Sequence, residues 1–276
     1  MGLRKTPLFL IAGALFLLVL LFISPHSQAT DPLSSDALVK KGKTSIPRED
    51  RSVLKIYLNQ ALKTLRPDLA KKHAELESKG KTDSLVLFWD RLKRPDLASF
   101  YFESHALKTD SALVWNDAGN RYYYAVPFVK DQTEMPLLYH RAMQCFDNAL
   151  AKDKTLLDAK IMLAACYVES SEDPMRGINL LKEAEKQDSN NVKLQMTFGY
   201  FSVKSGQLDK ALRRFQNVLR IDSAYLEAYL HLADTYEKLG DKENTIRMLQ
   251  DYRMRTDDPT AKIEIGKYIE QLKNSN

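Results

Sequence analysis

The segment FGYFSVKSGQLDKALRRFQNVL, residues 198–219, is answered 34 residues later by LADTYEKLGDKENTIRMLQDYR, residues 232–253. Gly199 aligns with Ala233, Gly206 with Gly240, Ala211 with Thr245 and Phe215 with Leu249. Each copy carries apolar residues at helical spacing on both sides of a polar turn that holds a glycine, KSGQLDKA in the first and KLGDKENT in the second. Self-similarity at such an interval marks a solenoid, in which each unit buries its apolar face only by stacking on its neighbours. The small residues have a mechanical reason. Two helices approach to about 8–10 Å only where facing side chains leave room. Gly199, Ala211 and Ala233 leave that room, and Phe215, Leu232 and Leu249 fill the space beside it.

The pattern continues upstream. Ala164, Ala165 and Tyr167 followed by Gly177, Leu181 and Ala184 form a unit in the same register, since Gly177 precedes Ala211 by 34 residues. Before it, Trp115, Ala118, Gly119 and Tyr122 match W-x2-L-G-x2-Y with Ala in place of Leu. The second half of that unit, Ala142, Phe146 and Ala149, arrives about eleven residues late, so residues 123–140 are an insertion between the two helices or an extension of both. Tyr123, Tyr124, Val126 and Phe128 within it either border a binding surface or pack as additional core. Further upstream, Leu85, Phe88, Trp89 and Leu92 followed by Ala98 and Phe102 give a partial match that lacks the small residue of the first helix.

These residues resemble the tetratricopeptide repeat, specifically from residue 112 onward and in outline from 82. The resemblance implies an all-α fold, a right-handed α-solenoid of helix pairs. It also implies a protein that binds other proteins and performs no chemistry of its own.

The chain has 276 residues, 44% of them hydrophobic, enough for a substantial core. Its net charge of +5 is modest, and without the first thirty residues, which hold Arg4 and Lys5 but no acid, 39 basic residues face 36 acidic ones. Nothing in that balance points to nucleic acid. Cys145 and Cys166 have no metal-binding spacing and read as two separate buried thiols, or as a disulfide if the chain is exported.

Arg4 and Lys5 precede PLFLIAGALFLLVLLFI, residues 7–23, which carry no charge. As a helix this run is ~26 Å long, and Thr6 and Ser24 extend it toward the ~30 Å of a bilayer core. It reads as an uncleaved single-pass anchor, or as a signal peptide cleaved near Ala29 after Ser27-Gln28. Either places the bulk of the chain outside the cytoplasm, in the periplasm of a cell envelope, because the flanking positive charges prefer the inside. Lys40, Lys41 and Lys43 on the far flank favour the opposite orientation, that of a cytoplasm-facing adaptor. With the anchor, the chain resembles the membrane-attached tetratricopeptide proteins of bacteria.

The organisation expected is therefore a signal anchor or signal peptide over 1–29, a linker over 30–50, capping helices over 51–81 and repeats over 82–256. Within the repeats the units are about 82–111, 112–157 with the insertion, 158–191, 192–225 and 226–258. Asp258-Pro259 then opens a C-terminal capping helix over 259–276. Solenoid ends must offer one polar face to water, which explains their atypical sequence.

No catalytic constellation emerges. The five histidines are scattered without zinc spacing, and there is no phosphate loop and no nucleophile elbow, so neither a metal nor a cofactor is expected. The candidate site is a groove lined by the first helix of each pair. Its stripe contains Asn116, Asn120, Tyr123, Met162, Lys193, Met196, Tyr200, Glu227, His231 and Asp234, a mixture of amides, aromatics and charges suited to a protein or peptide ligand. One tetratricopeptide subfamily grips a C-terminal carboxylate with Lys, Asn and Arg. Asn116 and Asn120 fit part of that pattern, but Met162, Leu163 and Cys166 follow where cations are needed, so carboxylate capture is not expected.

Overall fold

The computed structural model describes residues 51–129 and 132–274, and among them every regular element is helical. Thirteen α-helices follow one another: α1 (Arg51–Lys63), α2 (Pro67–Ser78), α3 (Thr82–Arg91), α4 (Pro95–Thr109), α5 (Ala112–Ala125), α6 (Met135–Lys152), α7 (Leu157–Glu169), α8 (Pro174–Gln187), α9 (Val192–Lys204), α10 (Leu208–Ile221), α11 (Leu226–Lys238), α12 (Lys242–Arg255) and α13 (Pro259–Asn274). Two short 3-10 turns, Val126–Phe128 and Gln132–Glu134, separate α5 from α6. The apolar run at residues 7–23, the cleavage motif near Ala29 and the linker over 30–50 lie outside the described residues. Among the described helices none is long and apolar enough to cross a membrane.

The described residues divide into two compact units, one ending at Thr197 and one beginning at Phe198. In the first, a single core runs from Tyr57 and Leu58 on α1 through Trp89, Leu97, Tyr122 and Phe146 to Tyr167 on α7. Consecutive helices supply it pairwise, α3 with α4, α5 with α6 and α7 with α8. In the second, α10, α11, α12 and α13 pack in sequence around Phe215, Leu232, Leu249, Ile265 and Ile269.

Close helix contact depends on missing side chains. A Cβ on Gly119 would stand 2.6 Å from the Phe146 ring, and one on Gly177 would stand 2.6 Å from the Ala164 carbonyl oxygen. Within pairs the turn glycines Gly206 and Gly240 have φ of 72° and 75°, left-handed values that a side chain makes unfavourable. Between pairs the turns are set by aspartates. Asp153, Asp188 and Asp222 end α6, α8 and α10 in extended backbone, and each accepts a hydrogen bond from the backbone N–H two residues on, at 2.8–2.9 Å. Such a side chain stands in for a backbone acceptor and closes the turn.

The insertion divides along its residues. Helix α6 is 18 residues long against 14 for α8, so one turn of the excess extends the helix and the remainder forms the two 3-10 turns. Val126 is buried and Tyr123 packs edge-on to Tyr139, whereas Tyr124 and Phe128 are 56% and 51% exposed.

Two charged networks lie inside the first unit. Glu103 on α4 accepts hydrogen bonds from Tyr122 on α5, at 2.7 Å, and from Arg141 on α6, and all three side chains are buried. Arg94 forks onto Asp96 at 3.0 and 2.7 Å and also reaches the Tyr57 hydroxyl at 3.0 Å, which ties α1 to the start of α4. Cys145 and Cys166 are both buried and are not joined in a disulfide.

Candidate protein-binding faces

In the first unit the predicted stripe gathers around a residue that is not on it. Asp158, in the first turn of α7, accepts from Asn116 Nδ2 at 2.8 Å, from Asn120 Nδ2 at 3.3 Å and from Lys193 Nζ. The two amides come from α5 and the ammonium from α9, so the first helices of three successive pairs meet at one carboxylate. Burial opposes the ionisation of Asp158, but the donors from Lys193, Asn116 and Asn120 outweigh it and hold the carboxyl below the usual range. The amide oxygens of Asn116 and Asn120 are covered and have no partner.

Exposure sorts the stripe. Lys193 and Asn120 are half-buried and reachable, while Asn116, Met162 and Met196 are buried, a correction to the open row expected for them. The three occupy equivalent positions of successive pairs, whereas Leu230, next in that series, is only half-buried. Tyr123 is half-buried between Tyr124 and Tyr139, and burial drives its hydroxyl well above the normal phenol range.

The second unit carries a separate patch. Tyr200 donates to Glu227 at 3.0 Å, Tyr225 donates to the other carboxylate oxygen at 3.3 Å, and His231 Nε2 lies 3.5 Å from Glu227. These partners, His231 foremost, hold the Glu227 carboxyl below its usual value. His231 itself is not a groove residue in the expected sense. It is buried, stacked on Phe215 with centroids 5.0 Å apart, and edge-on to Tyr200 at 4.5 Å. Asp234 pairs with Lys238 one turn on along α11.

Asp158 is the residue that sequence reasoning missed. The stripe as read contained two amides on α5 and a lysine on α9, donors on either side of α7, and the carboxylate that α7 places between them is Asp158. Among the described residues no group of three or more His, Cys, Asp or Glu side chains is placed to hold a metal.

Residues 199–240 match the sequence model of the TPR repeat family. The match falls on the segment from which the 34-residue period was read. No curated protein matches the chain in sequence. Among solved structures, TTC0263, a thermophilic TPR protein of Thermus thermophilus, is similar at 19% identity and a TM-score of 0.48, over 68% of this chain and 97% of that one. PilW, described as a widely conserved type IV pilus biogenesis factor, aligns at 18% identity and a TM-score of 0.47, over 74% and 90%. YrrB, described as a TPR protein with an unusual peptide-binding site, aligns at 21% identity and a TM-score of 0.42, over 71% and 97%.

Proposed function

We propose that this chain is a scaffold of tetratricopeptide type that holds protein or peptide partners on the first helices of its pairs. In this reading it is anchored through residues 7–23 and faces out of the cytoplasm in the cell envelope. The observation that carries the binding part is the convergence of Asn116, Asn120 and Lys193 on Asp158. Side chains of successive pairs that touch one another form a continuous polar surface, which an extended partner segment needs in order to be read at several points. The proposal requires no cofactor and no bond-making step.

The anchoring part is supported by the uncharged run behind Arg4 and Lys5. Lys40, Lys41 and Lys43 favour the second reading, an assembly or regulatory adaptor facing the cytoplasm. A reporter that is active only after export, fused behind Asn276, separates the two by being active or silent.

The binding reading is tested by affinity capture from detergent-solubilised cells. The full-length parent is compared with Asn120→Ala/Lys193→Ala in the first unit and Tyr200→Ala/Glu227→Gln in the second. A partner retained by the parent and lost from either variant supports the faces described. Equal recovery with all three chains rejects them.

A further inference from the structure

The two exposed aromatics of the insertion do not stand alone on the surface. Tyr124 and Phe128 line a cleft of about 550 Å³ together with Phe102, Asp117, Asn120 and Arg121. Two side chains that could donate in this cleft already have partners. Asn120 Nδ2 is on Asp158, and Arg121 is paired with Asp90 at 3.4 Å while its guanidinium lies 4.6 Å from the centroid of the Phe102 ring. One carboxylate in the lining has no such partner. Asp117 is exposed and makes no hydrogen bond or ion pair among the described residues, whereas Asn120 Oδ1 is covered and offers nothing to the cleft. The Tyr124 hydroxyl, which both donates and accepts, adapts to either. Since Arg121 and Asp90 neutralise each other, the local balance is one negative charge.

We infer that this cleft receives an arginine side chain of the partner, with its guanidinium against Tyr124 and Phe128 and its N–H groups on Asp117. The inference rests on the proposed binding function and specifies the chemistry of the partner. Aromatic faces attract cations, and a guanidinium both stacks on them and presents a planar fork of donors to a carboxylate. Arg121 on Phe102, tied to Asp90, is the same arrangement made within the chain. A purely apolar side chain would fill the volume but would take water from Asp117 without replacing its hydrogen bonds, which is unfavourable. A glutamate would meet Asp117 with like charge.

The test uses capped Ser-Gly decapeptides with one central Arg, citrulline, Leu or Glu, titrated at millimolar concentration into the full-length chain while the ring resonances of Tyr124 and Phe128 are followed. The Arg peptide is expected to shift both rings saturably. Citrulline, which keeps the shape and loses the charge, should bind about tenfold more weakly, as should the Arg peptide to Asp117→Asn. Asp117 is exposed, so the variant keeps its fold, which circular dichroism checks; Phe128→Ala provides a second variant on an uncharged wall. Overturning results are the absence of binding by the Arg peptide, a Leu peptide that binds as tightly, or Arg binding unchanged in Asp117→Asn. The capture experiment is kept apart by also using Lys193→Ala alone, because Lys193, unlike Asn120, does not line the cleft. Partner loss there without an arginine effect here rejects the cleft and keeps the scaffold; the reverse keeps the cleft and rejects the face around Asp158.

Discussion

Gly199 and Phe215 share one space. A Cβ on Gly199 would fall inside the Phe215 ring surface, 2.7 and 2.8 Å from Cζ and Cδ1 and nearer still to Cε1. Gly119 stands in the same relation to Phe146. At the equivalent positions of the other pairs, Ala165 aligns with Leu181 and Ala233 with Leu249, each sixteen residues apart as Gly199 and Phe215 are. The rule is one of constant volume: glycine opposite phenylalanine, alanine opposite leucine.

This rule predicts a compensating pair. Gly199→Ala gains up to about 1 kcal/mol in helix propensity but overpacks the seam by about 1–3 kcal/mol, so the variant is less stable than the parent. Adding Phe215→Leu makes room for the new methyl, and the double variant should be more stable than Gly199→Ala alone, with a coupling of about 1 kcal/mol in thermal or urea denaturation. Strict additivity of the two changes would refute the shared-volume account.

The buried Glu103–Arg141–Tyr122 network predicts a graded series. Arg141→Ala strands a buried carboxylate and should cost about 3–5 kcal/mol. Tyr122→Phe removes one hydrogen bond to it and should cost about 1–3 kcal/mol. Replacing Glu103 and Arg141 together by Leu and Met should cost less than Arg141→Ala, because no charge is left unpaired. Urea midpoints for the series decide this, and a double replacement worse than Arg141→Ala would show that the network does more than satisfy itself.

His73 predicts a pH dependence of stability in the first unit. It is 2% exposed, shares a 2.8 Å hydrogen bond with the Tyr101 hydroxyl and lies edge-on to Phe88, Trp89 and Tyr101. Burial lowers its pKa, opposed by Glu77 at 3.9 Å. A histidine whose folded pKa lies below the unfolded 6.5 binds its proton more readily when unfolded, so stability is full above pH 6.5 and declines as the pH falls below it. The slope for this one group is at most about 1.4 kcal/mol per pH unit. Other groups titrate as well, so the quantity to measure is the difference between the parent and His73→Gln from about pH 7.5 to about pH 5, a window that spans the unfolded value. That difference should shrink with acid, and a constant difference would exclude His73 as the source.

The helix-pair architecture was legible because Gly, Ala, Phe and Leu recur at fixed places, and close packing makes those places intolerant of other volumes. The turns were legible through Gly206 and Gly240 for the same kind of reason. The aspartates 153, 188 and 222 were equally periodic, but a charged residue in a polar turn reads as ordinary solvation until its hydrogen bond is seen. The candidate face was less legible. Helical spacing put Asn116, Met196 and His231 on the groove stripe, yet Asn116 and Met196 are buried and His231 stacks on Phe215. Asp158 was missed because its role depends on donors 42 residues before it and 35 after it, a relation no local window contains. Tyr124 and Phe128 could not be separated from Tyr123 and Val126 by composition, since all four are aromatic or aliphatic; the end of α5 decides which tyrosine faces water, and the 3-10 turn after it decides between Val126 and Phe128.

Asp158 also explains why carboxylate capture is not expected of this chain, and it makes that expectation testable by gain of function. Asn116, Asn120 and Lys193 are donors suited to a ligand carboxylate, but the chain's own carboxylate already occupies them. A competing ligand would have to displace Asp158 from charge-assisted hydrogen bonds, which are about twice as strong as neutral ones. The parent should therefore show no saturable binding of short peptides with a free acidic C-terminus. Asp158→Ala leaves the two amides and the ammonium facing an empty position of carboxylate size, and this variant should bind such peptides and lose them when the C-terminus is amidated. Calorimetry with the free and amidated forms of one peptide reads both steps. Nanomolar capture by the parent would mean that Asp158 yields its place to ligands, and no capture by a folded Asp158→Ala chain would mean that the three donors relax onto other partners once their carboxylate is removed.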